Sequence, residues 1–115
     1  MEDCLFCKII KGEIPSTKVY ENDYVYAFND INPAAPVHVL VIPKEHIKCL
    51  NCITEENVVY VSEIMKAIKE IAKIVGVHDS GYRVITNTGK DANQVVKHLH
   101  FHLLGGKDLG EKIVD

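Results

Sequence analysis

The chain has no excess of charge of either sign: 13 lysines and arginines face 16 aspartates and glutamates, for a net charge of -3 at pH 7. Nucleic acid or an anionic membrane surface calls for a basic face, and this balance leaves no footprint for either partner. No apolar run approaches the roughly 20 residues that cross a bilayer, and no secretory signal is evident at the start. Repeats, low-complexity tracts and linkers are missing too. The 115 residues are therefore expected to form a single domain, 1–115, around one core. Cysteine is scarce, four residues in two Cys-x-x-Cys pairs, Cys4/Cys7 and Cys49/Cys52. In a reducing cytoplasm, the compartment this implies, such spacing points to metal binding or redox chemistry rather than structural disulfides. What is present, 47% hydrophobic and 25% charged residues, is the composition of an ordinary globular protein.

Apolar periodicity supplies the elements. Leu5, Phe6, Ile9 and Ile10 form a short helix or turn within residues 3–11, broken after Gly12 and Pro15. Lys18–Glu21 and Tyr24–Phe28 read as strands joined in a hairpin at Asn22-Asp23. Val37–Ile42 is a third strand, ended by Pro43. Thr54 is placed to cap a helix whose first turn holds Glu55 and Glu56, favourable against the helix dipole. Val61, Ile64, Met65, Ile68, Ile71, Ala72 and Val75 recur at helical spacing and predict one apolar stripe, closed by Gly76. Tyr82–Asn87 and Lys97–Leu104 complete five strands. Strands with short connections, one long helix and a short amino-terminal one predict an α+β domain with an antiparallel sheet.

The residues that carry chemistry lie near the carboxyl end. His98-Leu99-His100-Phe101-His102-Leu103 alternates histidine with an apolar residue. In extended backbone that puts three imidazoles on one face and three anchors on the other. Rings that titrate near neutrality, held in a row, suit phosphate chemistry or a metal. A histidine nitrogen can attack phosphorus, and His100, flanked on both sides, is the natural nucleophile. Immediately upstream, Asn87-Thr88-Gly89-Lys90-Asp91-Ala92-Asn93-Gln94 is a polar loop of amides and backbone N–H groups, a plausible anion cradle.

His98-Leu99-His100-Phe101-His102-Leu103-Leu104 resembles the signature of the histidine triad family. Phe28-Asn29-Asp30-Ile31-Asn32-Pro33-Ala34-Ala35-Pro36-Val37-His38 is similar to the family's ribose-binding segment, and Val41-Ile42-Pro43-Lys44-Glu45-His46 continues the match. The resemblance runs from Cys4 to Gly106 and is nearest to the purine-nucleotide-binding branch. It implies a homodimer in which two five-stranded sheets join. It also implies hydrolysis of purine nucleoside phosphoramidates or related adenylates, with no cofactor needed for the chemistry. By the resemblance, His100 carries the nucleotide, His38 belongs to a proton relay behind it, and His102 contacts the phosphate. Asp30 would hold the ribose hydroxyls. Leu5, Phe6, Ile9, Phe28 and Ile31 would form the purine slot, and Asn87, Gln94 and the backbone at Asn93 the phosphate pocket. Two positions depart from the family: Asn93 stands where glycine is common, and Val95 where Ser or Thr is common. Val95 has no proton for a leaving group. Alternative readings are a nucleotide-binding scaffold with incidental hydrolysis, and a dinucleoside polyphosphate hydrolase.

Cys4 and Cys7 stand at zinc-knuckle spacing, and zinc requires four ligands. Bacterial relatives of this kind imply His46 and His98 as the other two, a structural site that shares His98 with the catalytic set His38, His98, His100 and His102 and would orient the triad from its edge. Cys49 and Cys52 are the rival source of that second pair. His78, beyond the helix end, is expected at the surface.

Overall fold

The computed structural model describes residues 3–112. Five strands, β1 (Lys18–Glu21), β2 (Val25–Asn29), β3 (Val37–Pro43), β4 (Tyr82–Thr86) and β5 (Phe101–Gly105), form one antiparallel sheet in the order β1-β2-β3-β5-β4. A short helix α1 (Leu5–Ile10) and a long helix α2 (Val58–Ile74) accompany it. This is the expected α+β architecture.

The two faces of the sheet are covered differently, and that difference builds the site. Val25, Ala27, Val39, Val41, Phe101 and Leu103 pack with Ile64, Ala67, Ile68, Ile71 and Ala72 of α2. On the opposite face Tyr26, Phe28, Leu40 and Ile42 pack with Phe6 and Ile9 of α1. α1 covers only part of that face, so the remainder can hold polar chemistry. The β1–β2 hairpin turns where it was expected, because the Asn22 side chain accepts from Tyr24 N–H and Val25 N–H at 2.8 and 2.9 Å.

Three local expectations change. α2 starts at Val58 rather than beside Thr54. Thr54 and Asn57 bond reciprocally, at 2.7 and 3.2 Å, in a turn that precedes the helix. Glu55 and Glu56 consequently lie outside its first turn. Met65 is exposed while Ala67 is buried: the two lie on opposite flanks of the helix, and the buried stripe through Ile64, Ile68 and Ile71 is centred nearer Ala67. The fifth strand begins at Phe101, not Lys97, and the fourth ends at Thr86. Before Phe101 the chain leaves the ladder, and Leu99 N–H bonds instead to the Ile47 carbonyl.

Candidate active site

The histidine alternation survives the shorter strand. Leu99, Phe101 and Leu103 enter the core under α2. His98 and His100 meet the Phe6 ring of α1 edge-on, with centroids 5.9 and 5.1 Å apart, and His102 is cross-strand neighbour to Leu40 on the same face. Each ring has a different set of partners, and those partners decide where its proton sits.

For His100 the partner is the backbone carbonyl of His98, 2.7 Å from Nδ1. A carbonyl only accepts, so Nδ1 carries the hydrogen and Nε2 keeps a free lone pair. For His38 the logic reverses. Its Nδ1 accepts the Ala34 N–H at 3.0 Å, so Nε2 holds the proton and donates it to His102 Nδ1 at 2.9 Å. His102 then carries its own proton on Nε2. Asp30 Oδ2 lies 3.4 Å from His38 Nε2, while Oδ1 accepts from Asn32 N–H at 2.8 Å. The result is a directed chain, His38 to His102, beside a ring whose nucleophilic nitrogen is open.

Burial keeps these rings neutral. It lowers His38 below the ordinary imidazole value against a smaller opposing pull from Asp30, and His100 against the hydrogen bond to the His98 carbonyl and then Asp30. His102 is driven down to about 4, first by burial and then by the charges of His100 and His38. A neutral ring is the form that attacks phosphorus.

The other residues expected at the site are distributed as follows. Phe6, Ile9 and Phe28 are buried together, with Phe6 and Phe28 edge-to-face at 5.6 Å. Leu5 is half-exposed, and Ile31 projects from the loop after β2 with 91% of its surface open. Val95 is also exposed, at 77%. Asn87 follows the end of β4 and is partly buried. Asn93 adopts φ 59°, a left-handed conformation that asparagine tolerates better than most residues and that glycine adopts without strain. Gln94 is buried and saturated: Oε1 accepts from Gly89 N–H at 3.0 Å, and Nε2 donates to the Lys48 and Val96 carbonyls at 2.8 and 3.1 Å. Its amide has no hydrogen left for a ligand, so it bears on the pocket by closing the loop.

Sequence reasoning missed the backbone partners, Ala34 N–H and the carbonyls of His98 and Pro43, because they carry no side-chain signal. It also missed Thr86, whose hydroxyl donates to the His100 carbonyl at 2.7 Å, and Thr88, whose buried hydroxyl has no partner among the described residues.

A second cluster adjoins the first. Ligand atoms of Cys4, Cys7, His46 and His98 all lie within 4.8 Å of one another. His98 donates from Nε2 to the Pro43 carbonyl at 2.9 Å, which turns the lone pair on Nδ1 toward Cys4 Sγ at 3.3 Å and Cys7 Sγ at 3.5 Å. His46 Nδ1 stands 3.3 Å from Cys7 Sγ. A tetrahedron with zinc–sulfur and zinc–nitrogen bonds of about 2.3 and 2.0 Å has mixed edges of about 3.5 Å, so the donors are spaced for that ion. Burial, then Cys4, pushes the Cys7 thiol up to about 11. Cys49 and Cys52 stand outside this group. Asp30, His38 and His102 are equally close together. A metal fits poorly there, because Ala34 N–H holds the His38 proton on the nitrogen that would have to ligate.

An α+β sheet that presents a buried histidine with one open ring nitrogen beside a two-histidine hydrogen-bond chain defines a histidine-centred site of the kind that can attack phosphorus. The chain belongs to the HIT, or histidine triad, family: the HIT domain model matches residues 11–109. It is 43% identical over 109 residues to a purine nucleoside phosphoramidase of Escherichia coli, covering 95% of this chain and 92% of that protein. To an adenosine 5'-monophosphoramidase of Candida albicans it is 45% identical, over 91% of this chain and 71% of the relative. Among solved structures, a HIT family hydrolase from Clostridium thermocellum superposes with a TM-score of 0.96 at 55% identity, covering 99% of both chains.

Proposed function

We propose that the protein hydrolyses purine nucleoside phosphoramidates or related adenylates through a nucleotidyl group carried on His100 Nε2. The observation that carries this reading is the His100 ring itself, neutral, oriented by the His98 carbonyl and open at one nitrogen. Nε2 attacks the α-phosphorus; a nitrogen–phosphorus bond forms and the bond to the departing amine breaks, its electron pair going to the amine. The Nδ1–H bond to the carbonyl stabilises the positive charge that develops on the ring. The amine needs a proton, and His102 Nε2–H is the donor, resupplied at Nδ1 by His38. Val95 supplies none, which places this task on the histidines. Water then attacks phosphorus, returns the bonding pair to His100 and gives its proton back to the His102–His38 pair, which restores the proton that left with the amine. Phe6, Ile9 and Phe28 support the base, with Leu5 and Ile31 at its open side. Asp30 holds ribose hydroxyls, and the loop from Asn87 through Asn93 cradles the phosphate.

Cys4, Cys7, His46 and His98 would hold a structural zinc. When bound, it ties α1 to the segment before β5 and fixes the His98 ring, whose carbonyl orients His100. The active form is a homodimer with sheets joined through β4. Tyr82 and Val84 are exposed on that edge strand, whereas the other edge, β1, is charged by the Lys18–Glu21 pair at 3.1 Å. Its place is the cytoplasm, where the thiols stay reduced.

The test is His100→Asn. Turnover of an adenosine phosphoramidate falls by about 10³-fold or more, while AMP still binds. Equal hydrolysis by variant and wild type would overturn the enzymatic reading and leave a nucleotide-binding scaffold.

A further inference from the structure

The second Cys-x-x-Cys pair has no part in the site or in the metal cluster. Cys49 is half-buried and Cys52 exposed, and both are free. They flank a single 3₁₀ turn, Leu50–Cys52, in which Cys52 N–H donates to the Cys49 carbonyl at 3.0 Å. A turn closed by that bond keeps the two Cα atoms within about 7 Å, and a disulfide spans about 4.4–6.8 Å. The turn is held at both ends. On the amino side, the Ile47 and Lys48 carbonyls accept from Leu99 N–H and from Gln94 Nε2. On the carboxyl side, the Asn57 amide donates to the Cys52 carbonyl at 3.0 Å. The two Cα atoms are thereby held within the range a disulfide spans, on an accessible turn.

We propose that Cys49 and Cys52 form a reversible disulfide site that reacts with low-molecular-weight disulfides. Cys52, the exposed thiol, attacks as thiolate; a mixed disulfide forms and one small thiolate leaves. The Cys49 thiolate then attacks the Cys52 sulfur, closes the protein disulfide and expels the second small thiolate. Two electrons pass from the protein sulfurs to the small disulfide, and the two protons lost by Cys49 and Cys52 end on the two small thiols. The turn supplies proximity: the folded chain has already ordered the residues that a flexible dithiol must order on closing. This inference is independent of the proposed hydrolysis.

The experiment uses the full chain in glutathione buffers of increasing oxidised fraction, quenched by alkylation and digested with trypsin. Cys49 and Cys52 fall together in the peptide Cys49–Lys66, apart from Cys4 and Cys7 in Met1–Lys8. A synthetic Cys49–Lys66 peptide is the unfolded reference. The intact protein is expected to close the Cys49–Cys52 bridge at an oxidised fraction lower by about tenfold or more than the free peptide. Cys49→Ser and Cys52→Ser proteins, each unchanged in melting temperature, should instead retain glutathione on the remaining cysteine. Closure no easier than in the peptide, or wild-type Cys49–Lys66 accumulating with glutathione attached and no bridge, would overturn the proposal.

Discussion

Replacing Gln94 with methionine tests whether the phosphate loop is held by a buried brace. Methionine keeps the length and bulk of glutamine, so packing changes little. What disappears is three hydrogen bonds, from Gly89 N–H and to the carbonyls of Lys48 and Val96. A buried backbone group left without a partner costs about 1–3 kcal/mol. Lys48 is exposed, and Gly89 and Val96 are partly buried, so water relieves some of that loss. The sum is a destabilisation of about 2–4 kcal/mol, toward the lower end of three such penalties. For a domain of this length each kcal/mol shifts the melting temperature by about 4 °C, so a fall of about 8–16 °C is expected by calorimetry. Because the loop from Gly89 to Asn93 loosens with it, kcat for an adenosine phosphoramidate should fall more than the affinity for AMP. A melting temperature within about 2 °C of wild type, with AMP affinity alone reduced, would refute the reasoning and make Gln94 a direct ligand.

Other outcomes follow from the same geometry. The unfolded chain protonates its histidines near pH 6.5, whereas folded His102 resists until about 4. Below pH 6.5 the unfolded state therefore binds more protons, and stability present above that pH is lost as pH falls toward 4. The urea midpoint should drop between pH 7 and 5, and drop less in His102→Asn; a midpoint flat or rising on acidification contradicts the burial argument. Purified protein should contain one zinc per chain by mass spectrometry under native conditions, and chelation should lower its melting temperature. Zinc lost from Cys49→Ser/Cys52→Ser but kept by His46→Ala would move the site to the other cysteine pair.

Much of the fold was legible because burial follows period. The alternation at Leu99, Phe101 and Leu103 and the run Ile64, Ile68, Ile71, Ala72 mark surfaces that must meet, and they do. Strand limits were less legible. Lys97 to His100 alternates like a strand, yet backbone pairing is a property of the neighbour, and Ile47 intercepts Leu99 instead of a ladder. Met65 and Ala67 stand on opposite flanks of the apolar stripe, and the stripe that meets the sheet is centred nearer Ala67 than the apolar residue types alone suggest. At the site, the sequence named the histidines but not their tautomers. Those depend on the backbone of Ala34, His98 and Pro43, whose positions come from chain path rather than residue type. Gln94 shows the same limit: its chemistry suits a phosphate, and its saturated amide is visible only once Lys48 and Gly89 are in place.

The central claim is that one nitrogen of one histidine carries the nucleotide. Rapid mixing with an adenosine phosphoramidate, acid-free quenching and peptide mapping by mass spectrometry test it most directly. The account predicts an adenylyl group on His100 alone, absent from His100→Asn and lost in water with time. An adduct on His38, His98 or His102, or turnover with no protein-bound adenylate at any time point, would contradict it.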